Sequence, residues 1–314
     1  SENSINHILD ICRQEKPSTI VIDSIQTVVD ENSTSSAGSI NQVRDCASQL
    51  TNLAKSSGST LFLIGHVNKE GNLAGPRVLE HMVDAVIYFE GDSDAHFRIV
   101  RSIKNRFGAI NEIGIFSMTN NGLKEISNPS ALFLANSKFS DKNKRKIKKF
   151  NPGTCVFPSQ EGTRPLLLEI QALVDNNNVS NPRRFSLGLD AQRLCMLIAV
   201  LHKHCKVTCR DQDIYINAVG GIKIHEPSSD LPIILSLISS IKSKPLPAGL
   251  VAFGEVGLSG EIRATPKGIE RLKESEKLGF SNAIIPLANI SKLNLSKIKT
   301  IGIDHIGEIN KIID

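Results

Sequence analysis

The chain has 314 residues, of which 40% are hydrophobic and 22% charged, the balance of an ordinary globular protein and not of a disordered or collagen-like one. At roughly 100–200 residues per domain the length fits two domains, and no apolar run reaches the ~18–20 residues that cross a bilayer. The net charge of +5 sits in one place: residues 138–149 (KFSDKNKRKIKK) carry +6, and the remainder carries −1.

In chain order, Ser18-Thr19-Ile20-Val21-Ile22-Asp23 reads as a buried strand that ends in an acid. Ser39 is the expected N-cap of a helix over 40–54, with Ile40, Val43, Ala47, Leu50 and Ala54 on one face. Thr60-Leu61-Phe62-Leu63-Ile64-Gly65 predicts a second strand, and 83–90, 97–103 and 113–118 predict three more. Strands separated by a helix point to a mainly parallel α/β sheet; the later strands lack helices between them, so that end is expected to be antiparallel. After residue 150 the pattern restarts. Strands are expected over 166–174, 213–219, 250–257 and 282–286, and helices over 190–204, 230–242 (Pro232 in its first turn) and 268–278, an α+β domain with its own core.

The six cysteines include no CxxC pair, and nothing suggests a secretion signal, so a reducing cytoplasm is the simplest setting. His202, His204, Cys205 and Cys209 match no standard zinc spacing, and the expectation is buried thiols with exposed histidines and no metal. The basic run reads either as a solvated linker or as a contact for phosphate backbone. Trp is absent and aromatic residues are scarce, which gives a stacking platform for single strands little support.

Asp23 would stand at the carboxyl edge of a parallel sheet, where ligands of such sheets bind and where an acid can hold Mg²⁺ through water. The usual partner of that acid, GxxxxGK[ST], is not in the sequence: none of the 22 glycines is followed by Lys.

Lys104-Asn105-Arg106-Phe107-Gly108, with Gly65-His66-Val67-Asn68-Lys69-Glu70-Gly71 and Ala74-Gly75-Pro76-Arg77-Val78-Leu79-Glu80-His81, resembles the bacterial RadA (Sms) DNA-repair family. The resemblance continues at Asp23-Ser24-Ile25-Gln26-Thr27, at 38–44, at Glu161-Gly162-Thr163-Arg164-Pro165, at Asn181-Pro182-Arg183-Arg184 and at 254–261. It implies part of a RecA-like ATPase core over 1–136, a basic linker over 137–150 and a Lon-protease-like domain over 151–314. Members of the family begin with a zinc finger and then a P-loop, so the chain is expected to correspond to the portion that starts just before the Walker B strand. ATP and Mg²⁺ are the implied nucleotide and metal, zinc belongs to the finger, and none of these is expected to bind tightly to this chain by itself. The implied partners are single-stranded and branched DNA, copies of the same chain in a hexameric ring, and the recombinase RecA, with no membrane.

By position, the resemblance makes Asp23 the Walker B acid, His66 the γ-phosphate sensor at the start of a DNA-facing loop over 67–78, and Lys104 and Arg106 a finger that reaches nucleotide phosphates across a subunit interface. A second DNA-facing loop would span 33–44. Arg44, Lys69, Arg77, Lys144, Arg145, Lys146, Arg183 and Arg184 are the expected DNA contacts. Similarity to Lon-type proteases puts Ser228 at the nucleophile position, but the position of the activating Lys falls on Ile269, and Lys267 and Lys273 are off register. A Ser without a base is an unactivated alcohol. The implied function is a DNA-dependent ATPase motor for strand exchange, here lacking its own phosphate cradle; a non-hydrolysing DNA-binding scaffold and a Lon-like peptidase are the rival readings.

Overall fold

The structure is a computed structural model, and it describes residues 2–33, 35–36, 38–66, 76–91, 97–110, 112–126, 128–134, 151–162, 164–176, 182–209, 211–290 and 298–310. The chain divides into two compact units, Ser1–Asp92 with Ile99–Asn111, and Ser93–Arg98 with Glu112–Asp314. The linker expected over 137–150 lies outside the described residues.

In the first unit the elements run α1 (Ile5–Glu15), β1 (Thr19–Asp23), α2 (Ile40–Ser57), β2 (Thr60–Ile64), α3 (Pro76–Glu80), β3 (Ala85–Glu90) and β4 (Phe97–Asn105), the last beginning in the second unit. β1 and β2 pair in parallel, with Asp23 opposite Ile64. Burial alternates along β1, so Ile20 and Ile22 face a core built with Ile5 and Leu9 of α1 and Val43, Cys46, Ala47 and Leu50 of α2. Val21 and Phe62, on the opposite face, are exposed. Ser39 caps α2 as expected, its hydroxyl accepting from the Gln42 amide at 3.4 Å. β3 and β4 are antiparallel, with a bulge between Val86 and Ile87.

The second unit adds β5 (Ile113–Thr119), β6 (Gly122–Glu125), α4 (Ser130–Phe133), β7 (Thr154–Glu161), β8 (Arg164–Asn176), β9 (Arg184–Leu187), α5 (Ala191–Cys205), β10 (Gln212–Ala218), α6 (Asp230–Ile241), β11 (Leu250–Ala252), β12 (Glu255–Val256), β13 (Ile262–Arg263), α7 (Gly268–Lys277), β14 (Asn282–Pro286), α8 (Leu287–Ile290) and β15 (Lys299–Ile303). Its main sheet has the order β15-β14-β11-β7-β8-β10-β9. β15, β14, β11 and β7 run parallel, β7–β8 and β8–β10 are antiparallel, and β9 is parallel to β10. The unit is therefore an α/β fold with a largely parallel sheet in place of the expected α+β class, although strands and helices alternate along the chain as expected. α6 is buried from Asp230 to Ser239 and packs on β7 and β8.

The strand expected over 250–257 is broken in two. The Gly254 amide donates to Ser228 O at 2.8 Å and its carbonyl accepts from Leu231 N at 3.0 Å, which draws the backbone out of the sheet toward the start of α6. Among the described residues, no helix is long and apolar enough to cross a membrane.

Candidate functional site

The parallel pairing of β1 and β2 brings the carboxyl ends of both strands to one edge. Asp23, the last residue of β1, is exposed there, and His66 follows β2 by two residues and is also exposed. The structure thus brings these two expected residues to the same edge. Between them lies Gln26, in the single 3-10 turn Ile25–Thr27 that follows β1. The turn is pinned by the fully buried Ile25 and by the Thr27 hydroxyl, which donates to Ser24 O at 2.8 Å. Gln26 Nε2 donates to His66 O at 3.3 Å, and its Oε1 is buried with no partner among the described residues. Gln26 was visible only as one letter of a motif; the contact is 40 residues distant in sequence and no local signal announces it.

Lys104 and Arg106 stand at the end of β4. The half-buried Lys104 ammonium donates to Glu80 O at 2.5 Å and to Val83 O at 2.8 Å. Arg106 is exposed and pairs with Asp84 at 3.0 Å, while its amide donates to Asp84 O at 2.9 Å. Asn105 Oδ1 accepts from the Phe107 amide at 3.1 Å and closes the turn, leaving Phe107 86% exposed at its tip.

Of the expected DNA contacts, Arg44 is exposed near the start of α2 and pairs with its neighbour Asp45 at 3.3 Å. Arg183 is exposed. Arg184 is half-buried, and its guanidinium donates to the carbonyls of Arg183 (3.0 Å), Cys209 (2.7 Å) and Gln212. Lys69, Lys144, Arg145 and Lys146 lie outside the described residues, as does the Arg77 side chain.

In the second unit the segment Glu226-Pro227-Ser228-Ser229-Asp230 forms a 3-10 turn that runs into α6. Both of its acids are clamped by arginine. Glu226 accepts from Arg271, and Asp230 accepts from Arg193 Nε at 3.0 Å and from the Val256 amide at 3.0 Å. Burial raises the Asp230 carboxyl above its ordinary range, and the Arg193 hydrogen bond only partly offsets this. Ser228 is buried, and its hydroxyl has no hydrogen-bond partner among the described residues. Lys267 Nζ instead donates to Gly162 O at 3.0 Å, and Lys273 is exposed. Among the described residues, none hydrogen-bonds the Ser228 hydroxyl as an activating base would.

Cys205 and Cys209 are buried thiols, and desolvation pushes the former up to about 11. The His204 and His305 rings meet edge to face at 5.3 Å, and each contacts the tip of the β12–β13 hairpin, at Leu258 O and Ser259 O, both at 3.1 Å. Among the described residues, no cluster of three or more His, Cys, Asp or Glu could hold a metal ion.

A family model described as subunit ChlI of Mg-chelatase matches residues 196–289. The DNA repair protein RadA of Pseudomonas aeruginosa is 53% identical over 292 residues, covering 93% of this chain and 62% of the relative. The DNA repair protein RadA of Escherichia coli is 46% identical over 314 residues, covering 100% of this chain and 66% of the relative. That of Aquifex aeolicus is 42% identical over 312 residues, covering 99% and 67%. The chain thus spans 62–67% of the length of these three relatives.

Proposed function

The chain belongs to the RadA family of bacterial DNA repair proteins, and from that footing we propose that it supplies the acid-bearing part of a DNA-dependent ATPase that promotes strand exchange in recombinational repair. The observation that carries this reading is the shared edge of β1 and β2, where Asp23 and His66 stand together and Gln26 joins the two strand ends.

Asp23 suits Mg²⁺: it is an exposed carboxylate at a parallel-sheet edge, a hard oxygen donor for a cation that keeps several of its waters. Mg²⁺ bound with ATP neutralises charge on the phosphates. The Gly-Lys cradle that orients those phosphates is not among these 314 residues, so this polypeptide by itself does not turn over ATP. His66, at the same sheet edge as Asp23, is the γ-phosphate sensor. Arg106 is the finger: its guanidinium is exposed, pairs with the surface carboxylate of Asp84, and serves a neighbouring copy's nucleotide in a ring of six.

DNA is held by its backbone. Arg44, Lys69, Arg77, Arg183 and the 138–149 run supply the cations, and affinity falls with salt. Arg184, committed to three carbonyls, shapes the start of β9 instead. The second unit is a Lon-protease-like platform for assembly and DNA passage, without peptidase activity, which fits the unactivated Ser228. The six unpaired cysteines fit a reducing cytoplasm. A zinc finger and a recombinase partner such as RecA complete the family picture and draw on the resemblance alone.

The test extends the chain with the third of the family's length that it does not span. The extended chain should hydrolyse ATP when DNA is added, and Asp23→Asn should remove that activity. A second reading is a DNA-binding scaffold that never hydrolyses ATP; no hydrolysis by the extended chain, with DNA binding retained, favours it.

A further inference from the structure

We propose that Gln26 is a positioning residue: its side-chain amide sets the backbone at His66, and with it the place of the imidazole at the edge shared with Asp23, while Gln26 itself touches neither nucleotide nor DNA. On the ATPase reading above, and resting on it, Gln26 holds the γ-phosphate sensor in register with the acid.

Gln26 is the middle residue of the 3-10 turn Ile25–Thr27. The buried Ile25 anchors that turn, and the Thr27 amide and hydroxyl, donating to Ser24 O at 3.1 and 2.8 Å, close it. Gln26 Nε2 donates to His66 O at 3.3 Å. A flipped amide would set oxygen against oxygen, so the His66 carbonyl dictates the orientation. That orientation leaves Oε1 buried with no partner among the described residues. A buried acceptor without a donor opposes folding, and an apolar side chain of similar length would avoid the penalty. Stability therefore does not explain the amide, and groups that stability disfavours are retained where function needs them.

Two glycines close on the same residue. A Cβ at Gly65 would lie 3.6 Å from Gln26 Nε2, and one at Gly38, where φ is +73°, would lie 3.5 Å from Gln26 O. Gly65 immediately precedes His66, and Gly38 immediately precedes Ser39, the cap of α2. Residue 26 is thus seated between the end of β2 and the approach to α2. A group misplaced by about 1 Å can lower a rate about a hundredfold.

The experiment has two arms. The first compares the 314-residue chain with Gln26→Met and Gln26→Glu by NMR, without nucleotide or DNA, using ¹⁵N backbone and ¹³C-histidine labels, with the His66 ring assigned from His66→Gln. Both variants lack the donor to His66 O, so the His66 amide and ring signals should shift while those of His305 stay. The urea midpoint of Gln26→Met should lie within about 0.3 M of wild type. Unmoved His66 signals overturn the proposal. A lower midpoint, or a Gln26→Met chain that does not fold, makes the tie structural and overturns it as well. The second arm measures DNA-dependent ATP hydrolysis by the extended chain. Both variants should lower kcat about tenfold or more. KM for ATP and Kd for DNA should stay within about twofold of wild type, since the amide touches neither. An unchanged kcat in either variant, or a raised KM at unchanged kcat, overturns the proposal. Extended wild type that does not hydrolyse ATP refutes the ATPase reading and not the tie, which the first arm then decides.

Discussion

Arg271, 1% exposed, holds Glu226 with two guanidinium nitrogens, Nη1 at 3.1 Å from Oε2 and Nη2 on Oε1. The same guanidinium donates to Pro158 O at 2.5 Å and Pro266 O at 3.1 Å and faces the rings of Phe157 and Phe253 at 6.0 and 5.7 Å. One side chain thus ties α7, β7 and the turn before α6. Removing one partner of a buried pair leaves an uncompensated charge, so Arg271→Met should destabilise the chain by about 3–5 kcal/mol. Adding Glu226→Leu should recover part of that loss. Urea unfolding measures both; a change below about 1 kcal/mol for Arg271→Met would show that the pair is not structural.

Gly260 has φ +87° at the tip of the β12–β13 hairpin, and a Cβ there would lie 2.5 Å from His305 Nε2 and 3.0 Å from His204 Cγ. Gly260→Ala combines a positive φ with a clash against two packed rings, and should lower stability by about 1–3 kcal/mol. The two imidazole signals should shift in the same variant, and unchanged histidine resonances would contradict the clash.

The thiols of Cys46 and Cys205 are both pushed up to about 11 by burial, with Asp30 and Asp45 adding to the effect at Cys46. Unfolding returns a thiol to about 8.5. Between those values the folded state keeps protons that the unfolded state loses, so stability contributed by these groups is present below about 8.5 and falls as pH rises toward 11. Denaturation midpoints at pH 8, 9 and 10 check the direction. Alkylation at pH 8 should label the exposed Cys195 of α5 well before the buried Cys205 and Cys209.

Much of the first unit was legible because its signals are local. The apolar Ile20-Val21-Ile22 run marks β1, Asp23 marks its end, and Ser39 followed by a 3.6-residue apolar period marks α2. What was not legible depends on distant partners. Lys104 reads as a free cation in any sequence motif, and only the fold reveals Glu80 O and Val83 O beneath it. Arg184 likewise reads as a surface base and proves to be tied to the Cys209 and Gln212 carbonyls. β7 is not among the expected strands; it contains Pro158, a residue that argues against a central strand. Its pairing with β11 involves Val156, so Pro158 stands past that ladder, and its carbonyl is taken by Arg271. The edge that unites Asp23 with His66 was readable from the strand ends, whereas the Gln26 contact between them was not.

If the 138–149 run contacts DNA, its cations act by releasing counterions. Replacing Lys144, Arg145 and Lys146 by Gln should flatten the slope of log affinity against log salt by about 2 for single-stranded DNA. Fluorescence anisotropy across a salt series reads the slope, and an unaltered slope would reduce the run to a linker.

The central claim is that Asp23 and Arg106 serve one ATP site from different subunits. The measurement is ATP hydrolysis, with DNA, by mixed rings of the extended chain, one subunit type carrying Asp23→Asn and the other Arg106→Ala. Each type is expected to be inactive when it forms rings by itself. In an equal mixture about a quarter of the head-to-tail interfaces join an intact Asp23 to an intact Arg106, so about a quarter of wild-type turnover should return. Mixed rings, verified as mixed, that stay as inactive as either parent would contradict the account.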